Sequence, residues 1–244
     1  YRSPDLLRWE YLGAPLLADT PWDCHGVYSG SALAEGDGLH LYYTGNIKLE
    51  DRDYDYIQEG REAWTLHTVS RDGVIFGSKR VALSPRQYPA HYTCHIRDPK
   101  VWREGDCLHM IQGGRRRDEK GAVLLYTSRD GETWEFDREL TTREPFGYMW
   151  ECPDLFSLGD RQVLAFSPQG LTREEYRYQN VYQSGYFLLE KDWREEQTFE
   201  NFREWDYGFD FYAPQTFQDD RGRRILVGWM GVPDSQEEYT NPLE

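Results

Sequence analysis

The sequence predicts an all-β protein built from the radial sheets of a β-propeller. Three observations carry that reading: a hairpin pattern repeats four times, a second hairpin pattern interleaves with it, and helical periodicity is sustained nowhere. The first pattern is a short strand, a tight Gly/Asp turn and an apolar strand, the signature of a β-hairpin. Its copies begin at Ser29, Arg97, Cys152 and Ala213, which lie 68, 55 and 61 residues apart.

In order, Ser29-Gly30-Ser31-Ala32-Leu33 leads through AEGDG into LHLYYTG, and Arg97-Asp98-Pro99-Lys100-Val101-Trp102 through REGDC into LHMIQGG. Cys152-Pro153-Asp154-Leu155-Phe156 leads through SLGDR into QVLAFSPQG, and Ala213-Pro214-Gln215-Thr216-Phe217 through QDDRG into RRILVGWMG. The interleaved unit reads SPDLLRWEY from Ser3, SRDGVIFGS from Ser70 and SRDGETWEF from Ser128, with a weaker copy over Tyr186 to Phe202. The best helical candidate, Thr172 to Gln179, is short and polar. Two alternating hairpins predict four-stranded blades. The chain opens on an outer-type hairpin and closes on an inner-type one. Spacing therefore allows either a five-bladed propeller lacking its opening inner hairpin or a four-bladed ring closed by the two termini.

The 244 residues are enough for one all-β domain with a substantial core. Apolar residues at 39% and charged residues at 29% describe a soluble globular chain, and no apolar run approaches the roughly 20 residues of a membrane-spanning helix. A formal charge of −15 argues against nucleic-acid partners and carries no penalty for a neutral ligand. Nine Trp and eighteen Tyr offer flat rings for the C–H faces of sugars, although most must fill β-core. Cys24, Cys94, Cys107 and Cys152 show no CxxC spacing, so no metal and no cofactor is expected, and a disulfide is left open. The absence of an N-x-[ST] sequon favours a cytoplasmic over a secreted protein. Leu243-Glu244 reads as a cloning scar, which makes residues 1–242 the domain. Gln236-Glu237-Glu238 reads as plain surface.

Each inner strand opens with polar residues where apolar ones are expected: Ser29-Gly30-Ser31, Arg97-Asp98-Pro99, Glu151-Cys152-Pro153 and Tyr212-Ala213-Pro214-Gln215. Superposition of the repeats places all four clusters at one end of the central channel, where propellers keep their ligands. Glu151, between Trp150 and Cys152, is the candidate general acid, because aromatic surroundings raise a carboxyl pKa by desolvation. The bland alternative is a carboxylate bonded to strand backbone. Asp98 beside Arg97 is the candidate ionised carboxylate that grips sugar hydroxyls, and a purely structural ion pair is its alternative. Asp154 reads as structural. His91 and His95 flank Cys94 without a ligand motif. Arg115-Arg116-Arg117 reads as a solvated loop, with a sugar phosphate as the lesser alternative.

These strings resemble glycoside hydrolase family 32. DLLRWEYLG is similar to its "DLVHWE" element, Tyr28-Ser29-Gly30-Ser31 to FSGS, HIRDPKVW to RDP, MWECPDLF to EC, and FDFYAPQTF with GWMG to the later "DFYA.QTF" and "GWM" elements. The match keeps its order over nearly the whole chain. The resemblance implies a five-bladed propeller and retaining hydrolysis of β-fructofuranosides: sucrose, its 6-phosphate, or fructans. Glu151 then matches the acid/base and Asp98 the transition-state stabiliser. Arg97, Tyr28, Ser29, Cys152, Tyr212 and Gln215 fall around the fructose pocket.

One departure is large. The family's nucleophile belongs to a WMNDPNG motif that this chain lacks, and its C-terminal β-sandwich is absent too. Retaining hydrolysis needs two carboxyls about 5 Å apart, so the chain alone is expected to be inactive. An open strand edge is expected to pair with a second copy. Two rivals stay open: an inverting family 43-like arabinan or xylan hydrolase, and a non-catalytic sugar-binding propeller.

Overall fold

The computed structural model describes residues 1–36, 38–208 and 210–231. Three four-stranded antiparallel sheets and one hairpin follow one another along the chain. The first sheet holds β1 (Val27–Glu35), β2 (Gly38–Lys48), β3 (Arg61–Ser70) and β4 (Arg80–Leu83) in sequence order. The second holds β5 (Tyr92–Glu104), β6 (Cys107–Arg116), β7 (Gly121–Ser128) and β8 (Glu135–Leu140). The third holds β9 (Met149–Leu158), β10 (Arg161–Gln169), β11 (Gly185–Leu189) and β12 (Arg203–Glu204). The pair β13 (Tyr212–Gln218) and β14 (Arg224–Trp229) ends the series.

First strands touch their successors, β1 against β5, β5 against β9 and β9 against β13, so one strand of each unit lines a common inner side. No sheet of the described residues closes on itself. The four repeats found in the sequence are the hairpins β1–β2, β5–β6, β9–β10 and β13–β14. Residues 171–179 contain no helix, and no described helix is long and apolar enough to cross a membrane. The suspected scar and the Gln236 to Glu238 stretch lie outside the described residues.

The interleaved unit proves to be a turn more than a hairpin. In all three copies a Ser hydroxyl accepts the N–H of the residue three ahead: Ser3 from Leu6 at 2.7 Å, Ser70 from Gly73 and Ser128 from Gly131 at 2.9 Å. The Asp two residues after the Ser then takes the next two N–H groups on one oxygen, as Asp5, Asp72 and Asp130 all do. These are Asx-type turns, and Leu6, Gly73 and Gly131 share a left-handed φ of 63°, 72° and 74°. The sequence expectation of an outer hairpin at Ser3 is corrected: that copy forms only an isolated Arg2–Glu10 bridge. No sheet receives it, and Trp9 is 53% exposed where its counterpart Trp134 is 4%.

Core packing lies between sheets. On β7 every side chain but Thr127 is buried, and alternate residues serve opposite neighbours. Leu124 and Tyr126 join Tyr42, Leu83, Met110 and Trp134 toward the first sheet. Val123 and Leu125 join Ile111, Trp150, Phe166 and Phe187 toward the third. Trp150 stacks on Phe166 with ring centroids 4.0 Å apart, which fixes the start of β9. Close approach of β6 to β9 requires Gly113, because a Cβ there would sit 1.9 Å from the Trp150 carbonyl oxygen.

Candidate active site

All four inner strands lose register with their partners at the same phase. The irregularities fall between Tyr28 and Gly30, Arg97 and Lys100, Glu151 and Asp154, and Tyr212 and Gln215. Three of them carry a non-glycine residue at left-handed φ: Asp98 at 63°, Cys152 at 49° and Ala213 at 50°. A bulge re-aims side chains and leaves backbone groups to be satisfied elsewhere. Here neighbouring strands satisfy them. The Asp98 N–H donates to Thr44 Oγ1 at 3.0 Å, the Cys152 N–H to Asp98 Oδ2 at 2.9 Å, and Gln215 Nε2 to the Cys152 carbonyl at 2.8 Å.

Glu151 sits where these bulges meet. Its Oε1 accepts Arg97 Nε at 2.9 Å and Nη2 at 2.5 Å, while Oε2 accepts Gln169 Nε2 at 2.7 Å and the Tyr212 hydroxyl. The pair is shielded, with side-chain exposures of 15% for Arg97 and 13% for Glu151. The apolar envelope expected from Trp150 is corrected. Trp150 points into the core, and the acid is held by a guanidinium, an amide and a phenol.

Asp98 is buried. Burial is the main cause that pushes its pKa up to about 6; Arg97 opposes this and Glu151 adds to it. The alternative reading, a structural ion pair between Arg97 and Asp98, does not form, since the guanidinium donates to Glu151. Asp98 Oδ2 faces the Cys152 N–H and thiol, and no donor among the described residues reaches Oδ1. The Cys152 thiol is pushed well above its usual range, first by burial and then by Asp98. It is an inert neighbour whose backbone does the work.

The site thus gathers two carboxylates, Glu151 and Asp98, with the groups that hold them. The family model "Glycosyl hydrolases family 32 N-terminal domain" matches residues 1–243. The chain belongs to glycoside hydrolase family 32. It is 43% identical over 248 residues to the sucrose-6-phosphate hydrolase of Bacillus subtilis strain 168, covering 99% of this chain and 50% of that protein. The structure of sucrose-6-phosphate hydrolase from Lactobacillus gasseri is similar at a TM-score of 0.84 and 31% identity, covering 95% of this chain and 47% of that one. A Bombyx mori family 32 β-fructofuranosidase, as its D63A mutant in complex with sucrose, is similar at a TM-score of 0.74 and 38% identity, over 86% of this chain and 44% of that one. The chain spans about half the length of the curated relatives it matches. The family 43-like reading gives way to the family 32 membership.

Within this family 32 chain, the structure brings Glu151, Arg97, Asp98, Cys152 and Tyr212 together. Tyr28 and Ser29 are exposed on β1, and Tyr28 lies across from Thr44, the residue that caps Asp98. Gln215 is occupied by the Cys152 carbonyl and by Lys100, so it links strands and does not face Glu151. Asp154 is structural as expected, bonded through Oδ2 to the Thr216 N–H and hydroxyl and to Lys100. Each arginine of the 115–117 run is engaged on the protein: Arg115 with Glu119, Arg116 with Asp118 and Glu139, and Arg117 with Ala90 and Gln58. His91 meets Glu139, and all four cysteines are unpaired. Sequence reasoning missed Gln169. Gln169 lies at the far end of β10, where only the β9–β10 register of Gln169 with Met149 places it beside Glu151.

Proposed function

We propose that this chain is the greater part of the catalytic five-bladed propeller of a retaining β-fructofuranosidase acting on sucrose or sucrose 6-phosphate. The observation that carries the reading is Glu151, raised on the β9 bulge and held through both oxygens by Arg97, Gln169 and Tyr212, with Asp98 one strand away. In the first step a carboxylate outside this chain attacks the anomeric carbon while its bond to the glucosyl oxygen breaks. Glu151 gives that oxygen its proton. In the second step Glu151 takes a proton from water as the water oxygen opens the fructosyl ester.

Geometry limits where the proton rests. Arg97 and Gln169 Nε2 donate toward Glu151, whereas the Tyr212 hydroxyl can donate or accept. The proton therefore belongs on Oε2, where Tyr212 reverses its bond. Asp98, with Oδ1 open, grips fructosyl hydroxyls and meets the positive charge that develops at the anomeric carbon. Tyr28 and Ser29 form the wall of the pocket beside it. Four unpaired thiols suit a reducing cytoplasmic setting.

The test compares the natural gene product with the 244-residue chain, assayed for fructose release from sucrose and from sucrose 6-phosphate. Turnover by the first and none by the second is expected. Sugar binding without turnover in both makes the protein a non-catalytic propeller. Turnover by the verified chain places the nucleophile among the residues described here.

A further inference from the structure

We propose that His95 is a positioning residue for the acid: it fixes Arg97 against Glu151 and ties that ion pair to the loop of residues 49–60. His95 Nε2 lies 2.7 Å from the Tyr56 carbonyl oxygen, and Nδ1 lies 2.8 Å from Arg97 Nη1. A carbonyl only accepts and a guanidinium only donates, so the ring must be neutral, with its hydrogen on Nε2 and its lone pair on Nδ1. Both faces of the chain around it agree. Thr93 Oγ1 accepts the His95 N–H at 3.1 Å, which holds the backbone two residues before Arg97.

The loop on the other side is built to hold still. Its ends close through the Leu49 N–H to the Gly60 carbonyl at 2.8 Å, and Asp55 Oδ1 takes the N–H groups of Ile57, Gln58 and Glu59. Cys94 docks the same loop by donating to the Ile57 carbonyl at 3.0 Å. The line from Tyr56 through His95 and Arg97 to Glu151 is thus continuous hydrogen bonding between an ordered loop and the catalytic oxygen.

A neutral acceptor is the chemically apt choice. A carboxylate in this place would compete with Glu151 for the guanidinium, while an apolar side chain would leave Nη1 free to swing. Charges facing the ring come from every side: Arg97 on β5, Arg61 at the start of β3, Arg115 on β6, and Asp55 in the loop. Burial, followed by Arg97 and the other arginines, lowers the ring's pKa to about 4, so it stays an acceptor at neutral pH.

The inference rests on Glu151 as the general acid, and the experiment separates the two. In the natural gene product His95→Ala is expected to lower kcat on sucrose ten- to about a hundred-fold, the scale of a ~1 Å misplacement of a catalytic group. KM should change less. His95→Gln, whose amide offers one acceptor and one donor, should restore kcat to within a few-fold. Independently of activity, ¹⁵N spectra of the histidine rings should show His95 as the Nε2–H tautomer at neutral pH. A ring titrating near its ordinary value, or carrying its hydrogen on Nδ1, overturns the inference even in an inactive protein. An active protein whose His95→Ala variant keeps the wild-type kcat does so as well.

Discussion

Arg97 and Glu151 meet across β5 and β9 through two N–H donors on one carboxylate oxygen, with the buried Asp98 next to Arg97 in the chain. One cation thus faces two carboxylates. It bonds to only one of them, and the other has no ion pair among the described residues. That asymmetry gives two nearby acids different tasks, and it makes the following outcomes testable in the natural gene product.

Glu151→Gln should lower kcat on sucrose by about 10²–10⁴-fold, the range that general acid catalysis supplies. An aryl fructoside with a good leaving group needs little protonation and should lose much less in the first step. Parallel steady-state measurements on both substrates decide it. Equal losses point to a structural role for the carboxylate.

Asp98→Asn should lower kcat at least ten-fold without lowering the melting temperature at pH 7 to 8. Asn tolerates the left-handed backbone at φ 63° and can still accept the Cys152 N–H. The sign follows from linkage. Because burial raises the Asp98 pKa to about 6, the folded protein holds a proton that the unfolded chain releases near pH 4. Stability from this group therefore falls as pH rises between roughly 4 and 6, and the penalty persists above that window. Asn removes the penalty, so calorimetry should find the variant as stable as wild type or more so at pH 7 to 8. At pH 4 the difference should shrink.

The same group sets an acid limb on activity. If Asp98 must be ionised to meet the charge of the transition state, kcat/KM should fall as pH drops through about 6. Asp98→Asn should abolish that limb along with most of the rate. An unchanged limb in the variant assigns it to another group.

Gly113→Ala tests the framework behind the acid. Its methyl group would overlap the Trp150 carbonyl, so β6 and β9 must separate, at a cost of about 1–3 kcal/mol. Lower melting temperature together with lower kcat is the expected result. Intact stability and rate would mean that the strands yield more easily than their packing implies.

Much of this was legible in the sequence because repetition leaves a mark. A strand–turn–strand unit has to recur to build stacked sheets, so the hairpins from Ser29, Arg97, Cys152 and Ala213 could be read and aligned. Aligning them gave the shared phase of the polar openings, and with it Glu151, Asp98, Arg97 and Tyr212. What each residue does to the others was not legible. Arg97 adjoins Asp98 in the chain yet bonds to Glu151, because left-handed φ at Asp98 turns consecutive side chains apart. Gln169 stands out by no motif, and His95 opens the HIRDPKVW string without revealing its partners, since their contacts depend on a residue 18 positions away and on a carbonyl 39 positions away. Residue order was enough for the all-β architecture, the order of the hairpins and the polar cluster that holds Glu151, Asp98, Arg97 and Tyr212. Which carboxylate receives the guanidinium and which stays buried with a raised pKa depends on contacts between strands, because hydrogen-bond direction and desolvation arise there.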